Sequence, residues 1–376
     1  MFVYIFISLI LTGLAIINPK NKMLKKSIYL LLGIFLCTSY FNGSDWRSYE
    51  LMYELANLED IKTFYAEKGF YVYMCIFKIL GFNFFEFFII TKFIIYYIFY
   101  KLLIKSPNFY LILNIFYYQM ALFLFIDCPL RNLIAIGLVL LGIEQWNKRK
   151  KIGLYIYIIL AMTFHVSAIF FIILPLIYTF NKLSKKTLII IMLIIYIILS
   201  SQNILLNLIK YLPFFEERLL KFIGRPEGVG EFFSLGNIEK IIVCISLILL
   251  RDKYKYYKKE LGLIVGYFIL YRIAVSFLIL GRLTLYIQIF YIFGIGLLIE
   301  NLKNRLKIVV ILLIGLYSII NIYKVTSKTY KYIPYTNYLV YIGKEKPSYE
   351  YRKKYNYIEY IKRNGVDEFI KKYINK

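Results

Sequence analysis

The chain has 376 residues, of which 60% are hydrophobic, and a formal net charge of +25. Soluble globular chains hold about 45–50% apolar residues, so the excess, gathered into long uninterrupted blocks, excludes a soluble domain. The charge alone would suit a nucleic-acid binder. Here, however, Lys and Arg fall in short loops between apolar blocks, the pattern of a membrane protein with basic loops in the cytoplasm, and nucleic acid is not an expected partner. The four scattered cysteines and single histidine make a side-chain zinc or haem site an unlikely design, so no metal or other cofactor is expected.

Phe2–Ile17 is the first block long enough, or nearly so, to cross ~30 Å of hydrocarbon as a helix. No basic stretch precedes it and no small-residue cleavage site follows, so it reads as a permanent helix. Lysines in residues 18–26 place that loop in the cytoplasm, and residues 27–41 return to the outer side. Residues 42–68, rich in Asp and Glu, suit the outer face. Residues 70–81 are apolar but too few to span comfortably, and they include Lys78. Reading them as re-entrant or interfacial keeps the basic loops 101–105 and 147–151 inside together. Residues 152–178 are expected to break near Thr163–His165, with both halves returning to the cytoplasmic side. Non-helical backbone at membrane depth is tolerated only beside protein or a water-filled cavity, so this break is expected to line a cavity. Residues 188–209 and 307–323 are further spans, and residues 211–237 an outer loop of mixed charge.

The expectation is an all-α polytopic membrane protein with about 10–12 membrane helices and one or two short re-entrant or broken segments. Residues 1–323 form the transmembrane helical bundle, and residues 324–376 a basic, Tyr-rich C-terminal tail. Helix counting puts the tail outside and its charge puts it inside.

A charge at the centre of a bilayer costs about 2.5–3.5 kcal/mol on insertion scales, so each polar residue beside an apolar block needs a reason. Arg131 follows Asp127, Cys128 and Pro129 at the head of a helix. Its planar, permanently charged fork suits phosphate oxygens; the alternative is an interfacial arginine paired with Asp127. Arg282 opens another helix on the same outer side and either adds a second charge against a diphosphate or snorkels to headgroups. Arg272, deeper in the preceding helix, either joins them or serves structure. His165 is a candidate general base or a histidine bonded into helix packing. Asp45 and Glu67 each offer a carboxylate to take a hydroxyl proton or to stabilise positive charge at a sugar carbon. The bland readings are a helix cap or an Arg47 pair for Asp45, and a first-turn carboxylate for Glu67.

In order along the chain, these pieces resemble the EpsG-like family of bacterial polysaccharide polymerases, a branch of the Wzy-type O-antigen and capsule polymerases. The matching pieces are Gly43-x-Asp45-x-x-x-Tyr49, Glu67-x-Gly69-Phe70, Arg131-x-x-x-Ala135, Phe164-His165-x-Ser167-Ala168, Arg282-x-x-x-Tyr286 and Ile333-Pro334-Tyr335. Asn132, where the family often has Gln, and the extended basic tail depart from the pattern. The resemblance implies a GT-C-like bundle in the bacterial cytoplasmic membrane, with the active site facing the periplasm or cell exterior. It implies metal-independent glycosyl transfer from undecaprenyl diphosphate onto the next lipid-linked repeat unit. Arg131, Arg282 and Arg272 would then meet the diphosphate. His165, with Asp45 or Glu67 next, would act as base, and Tyr49, Tyr286 and Tyr335 would line the sugar site. The partners it implies are undecaprenyl-diphosphate-linked oligosaccharides and membrane lipid, and it leaves room for a flippase and a chain-length regulator.

Overall fold

The structure, a computed structural model, describes residues 1–62, 67–200, 234–253, 258–276 and 280–370. Most of the expected outer loop 211–237 and the end of the expected span 188–209 lie outside the described residues, as do parts of the loops after α3 and α11. The helices in chain order are α1 Phe2–Ile17, α2 Lys22–Cys37, α3 Trp46–Leu55, α4 Lys68–Ile79, α5 Phe84–Leu103 and α6 Phe109–Phe116. The last continues as a π-helix, Tyr117–Asp127. Then come α7 Leu130–Asn147, α8 Lys151–Phe164, a 3-10 stretch Val166–Ile173, α9 Leu174–Thr179, α10 Lys185–Ser200, α11 Leu235–Leu249, α12 Lys258–Ser276, α13 Gly281–Thr284, α14 Gln288–Glu300, α15 Asn304–Lys328 and α16 Tyr349–Asn364. Among the described residues there is no strand, only an isolated bridge between Ser39 and Asn337. The protein is an all-α polytopic membrane protein.

Two compact units form. The first holds Met1–Gly137, Leu160–Val166 and Lys303–Lys376; the second holds Leu138–Ile159 and Ser167–Leu302. The C-terminal residues thus belong to the same unit as the first helices.

In the first unit, α1 and α15 run antiparallel. Tyr4 donates to the Tyr332 carbonyl at 2.7 Å, Ser8 lies 2.7 Å from Ser318, and the Thr12 side chain lies where a Cβ on Gly315 would be. Asn114 of α6 completes this buried network, accepting from Ser8 at 3.0 Å and donating to Thr12 at 3.0 Å. With little hydrophobic force between helices in lipid, small residues and interhelical hydrogen bonds are what join them. Among the described residues, two helices are by themselves long and apolar enough to cross a membrane. Phe109–Asp127 is 83% buried, so it is an interior helix, while Asn304–Lys328 is 22% buried and turns its apolar side outward. Shorter apolar helices include Phe2–Ile17, Lys151–Phe164 and Gln288–Glu300.

The short run that contains Lys78 is α4, and it meets α5 at a bend of 120°. A capping box of Asn83 and Glu86 starts α5 at that corner. Lys78 donates to the carbonyls of Glu54 and Ala56 at 2.6 and 3.0 Å, which ties this charge to the end of α3 and spares it contact with hydrocarbon. The expected break after α8 is present: the α-helix stops at Phe164 and a 3-10 stretch begins at Val166.

The loop after α2 and the segment after α15 are laced together. Tyr40 N–H donates to the Thr336 carbonyl at 3.1 Å, and Tyr338 N–H to that of Thr38 at 2.8 Å. Asn42 donates to the Pro334 carbonyl at 2.9 Å and accepts from Thr336 N–H at 2.8 Å. The start of α1, the end of α2, the end of α15 and the tail thus share one end of the unit. In the second unit, α12 packs against α9, α10, α11, α13 and α14. Gly266 allows close approach there, since an added Cβ would lie 2.8 Å from Ile177.

This arrangement fixes the side of the tail relative to the loop after α2. In a cysteine-free background, Ser48→Cys and Lys354→Cys should react with an impermeant maleimide from the same face of sealed vesicles. Labelling from opposite faces would contradict the fold.

Candidate functional site

The start of α4 is placed by a glycine. A Cβ on Gly69 would collide with the Thr163 side chain and lie 2.8 Å from the Thr163 carbonyl oxygen, so only glycine lets α4 come this close to the end of α8. The residue two before it, Glu67, thereby reaches the break in the chain after α8. Its Oε1 accepts from the Val166 N–H at 3.4 Å, the residue next to His165. Phe164 lies edge-on to Tyr73 of α4, with 5.8 Å between ring centroids, and closes this contact from the other side.

The other carboxylate oxygen meets α7. Arg131 Nη1 donates to Glu67 Oε2 at 2.6 Å. The two side chains are 29% and 19% exposed, enclosed enough to hold each other yet open enough to meet a ligand. The guanidinium also lies 6.0 Å from the ring of Tyr49. Tyr49 is buried in α3. Burial pushes its hydroxyl above the ordinary phenol range, with Arg131 pulling in the opposite direction, so it stays a neutral phenol. Residues from α3, α4, α7 and the α8 break thus meet at one cluster.

Arg131 reaches this place through unusual backbone. The π-helix ends at Asp127, Cys128 adopts φ 51°, and α7 follows at once. π-helical turns are rare and recur at functional sites. Against this corner packs Gly43, at φ +83°, where an added Cβ would strike the Ile126 carbonyl oxygen. Asp127 does not pair with Arg131. Its Oδ1 accepts from Ser44 N–H at 2.9 Å and from Ser44 Oγ at 2.8 Å, and its Oδ2 lies 3.5 Å from Lys331 Nζ. Asp45 is the first residue before α3, does not cap it, and accepts from Ser44 Oγ at 3.1 Å. The spacing Gly43-x-Asp45 therefore has a physical basis in the glycine: its positive φ and close approach bring Ser44 onto Asp127.

The remaining candidates are placed differently. Tyr335 donates to the Phe35 carbonyl at 2.6 Å and stacks on the Phe35 ring at 4.4 Å, so it secures the segment after α15. In the second unit, Tyr286 is buried, stacks on Phe171 at 4.5 Å and shares a 2.9 Å hydrogen bond with Ser167. It positions the 3-10 stretch and offers no ring face outward. Arg272 is buried with its guanidinium 4.5 Å over the Tyr196 ring. Arg282 is exposed on α13. His165, half-buried, continues the backbone of α8, its N–H donating to the Ala161 carbonyl at 2.9 Å.

Three residues that hold the site escape sequence reasoning. Lys92, wholly buried in α5, donates to Ser39 Oγ at 3.2 Å and to the Phe125 carbonyl at 3.1 Å. It lies 4.4 Å over the Phe88 ring. A lysine inside the otherwise uncharged run 87–100 was the available signal. Lys331 and Arg352 lie beyond the bundle, and their partners Ser44 and Glu50 are 287 and 302 residues away in sequence.

The fold and this cluster define a polytopic helical membrane protein with a partly buried carboxylate–guanidinium pair at a broken helix. The chain belongs to the EpsG family, whose model matches residues 22–337. No curated protein and no solved structure matches it.

In a double-mutant cycle read by thermal unfolding in detergent, Glu67→Ala and Arg131→Ala should be coupled by about 1–3 kcal/mol, the range of a charge-assisted, partly enclosed hydrogen bond. Additive losses would contradict the pair. Gly69→Ala should lower the midpoint by itself, by parting α4 from Thr163.

Proposed function

We propose that the protein is a polysaccharide polymerase of the bacterial cytoplasmic membrane, with its active site facing the periplasm or cell exterior. The donor is a glycan carried on undecaprenyl diphosphate, and the acceptor is the next lipid-linked repeat unit. The acceptor sugar hydroxyl attacks the anomeric carbon of the growing glycan. A carbon–oxygen bond forms to the acceptor, the bond to the diphosphate oxygen breaks, and undecaprenyl diphosphate departs with the bonding electrons. The hydroxyl proton passes to a base on the protein. The observation that carries this reading is the convergence of Glu67, Arg131 and the residue after His165, three motifs far apart in sequence, on one ion pair.

Each residue has a role in that chemistry. Negative charge develops on the leaving diphosphate, and a preorganised guanidinium lowers the energy of that state more than of the ground state. Arg131 supplies it, while Glu67 and Tyr49 hold the fork in orientation. Both Glu67 oxygens are already engaged, by Arg131 and by the Val166 N–H, so Glu67 serves better as this holder. His165, beside the same cluster along the backbone, takes the proton, with Asp45 the alternative. Membership of the EpsG family supports a polymerase-type activity, and the apolar outward side of α15 suits contact with lipid.

Two experiments test this. Deleting the gene should leave single undecaprenyl-diphosphate-linked repeat units accumulating on the outer membrane face, read by mass analysis. Units trapped inside would indicate a flippase instead, and finished polymer stranded on its carrier a ligase. In complemented cells, Arg131→Ala should abolish chain extension at normal membrane levels, and His165→Ala should cut it about 10²–10⁴-fold, the range for a lost general base. Full-length polymer from either variant removes that residue's assigned role.

A further inference from the structure

The family match ends at residue 337, yet the chain beyond it returns to the candidate site. Ser348 caps α16, accepting from the Tyr351 N–H at 3.3 Å. Arg352, Asn356 and Tyr360, at a spacing of four, form the buried face of the helix. Arg352 Nη1 and Nη2 donate to the two carboxylate oxygens of Glu50, each at 2.7 Å, and its Nε donates to the Pro347 carbonyl at 2.9 Å. The side chains of this pair are 8% and 11% exposed. Four rings surround the guanidinium: Phe85 at 5.1 Å, Trp46 at 5.4 Å, Tyr40 at 5.6 Å and Tyr349 at 5.9 Å. Asn356 adds a hydrogen bond to the Lys331 carbonyl at 3.0 Å.

The partner helix makes this contact consequential. α3 has ten residues, too short to hold its own shape in water, so tertiary ties decide where its side chains point. Glu50 is the neighbour of Tyr49, whose ring lies 6.0 Å from the Arg131 guanidinium. Trp46, one turn earlier, is buried among the same rings as Arg352. A bidentate pair enclosed by aromatic rings fixes distance and angle together, and removal of either member strands a buried charge.

We infer that Arg352 is a positioning residue of the candidate site: through Glu50 it fixes α3, and so holds the Tyr49 ring against the Arg131 guanidinium. The segment beyond the family match is then a working part of this protein's site. Its positional half stands on the contacts alone, and its kinetic half rests on the proposed reaction.

The test uses the full-length protein in lipid nanodiscs. Arg352→Gln should speed hydrogen exchange across Trp46–Leu55 while leaving Asn304–Lys328 unchanged. It should lower kcat for chain extension on the order of ten- to a hundredfold, the scale of a misplaced catalytic group, with KM for the lipid-linked acceptor little altered. Arg352→Lys, which keeps the charge without the fork, should recover part of kcat. The double variant Glu50→Gln with Arg352→Gln strands no charge; it should fold and show the same kcat defect. Unchanged exchange in α3, or activity that falls only in step with the amount of folded protein, would overturn the inference. Wild-type protein that extends no chain would fail the proposed reaction, and exchange in α3 would still decide the positioning.

Discussion

The contact between Glu67 and Arg131 is the constraint around which the first unit is arranged. Neither charge is tolerated alone beside apolar helices, because stripping water from an ion costs more than most contacts return. Each therefore needs the other, and their meeting brings the start of α4 to the start of α7. The same stretch of α4 lies against the end of α8, which is possible only because Gly69 has no side chain to meet Thr163. The break after α8 follows from the same geometry: the Val166 N–H, no longer inside an α-helix, finds its acceptor in the second oxygen of Glu67. One pair thus accounts for a glycine, a helix corner and a broken helix.

Around this pair the remaining polar residues act as fasteners. Asp127 gathers Ser44 and Lys331, Lys92 takes up the Phe125 carbonyl near the end of the π-helix, and Arg352 clamps Glu50. Each links segments distant in sequence at the end of the unit where α1 begins and α15 ends. The Ser8, Thr12, Asn114 and Ser318 network does the same work midway along the helices. Apolar side chains make the helices insoluble in water, but these polar contacts choose which helix lies beside which.

Much of this was legible in the sequence, and the limits have physical causes. Hydropathy blocks mark the helices because a span needs length and apolarity. The break at His165 followed from charge placement, since basic loops had to stay on one side. The spacing of Lys78 within a short apolar run marked α4 as unusual, and its bonds to Glu54 and Ala56 explain how the charge is satisfied. Pairing was not legible. Asp127 stands four residues from Arg131, the spacing of a helical pair, but the π-helix and the Cys128 turn point it at Ser44 instead. Arg352 finds Glu50 across some three hundred residues, which no local pattern encodes. The three tyrosines expected at the sugar site have different surroundings: the Tyr49 ring lies 6.0 Å from the Arg131 guanidinium, Tyr286 bonds to Ser167 and Tyr335 to the Phe35 carbonyl.

The account stands or falls on whether this pair of charges serves glycosyl transfer. The most direct measurement is the purified protein in liposomes, supplied with a synthetic repeat unit on a polyprenyl diphosphate. The account predicts a ladder of lengthening glycans with one polyprenyl diphosphate released for each new bond. With Arg131→Ala in the same liposomes, both ladder and release should vanish. Repeat units that cross the bilayer without bond formation, or a ladder made equally well without Arg131, would contradict it.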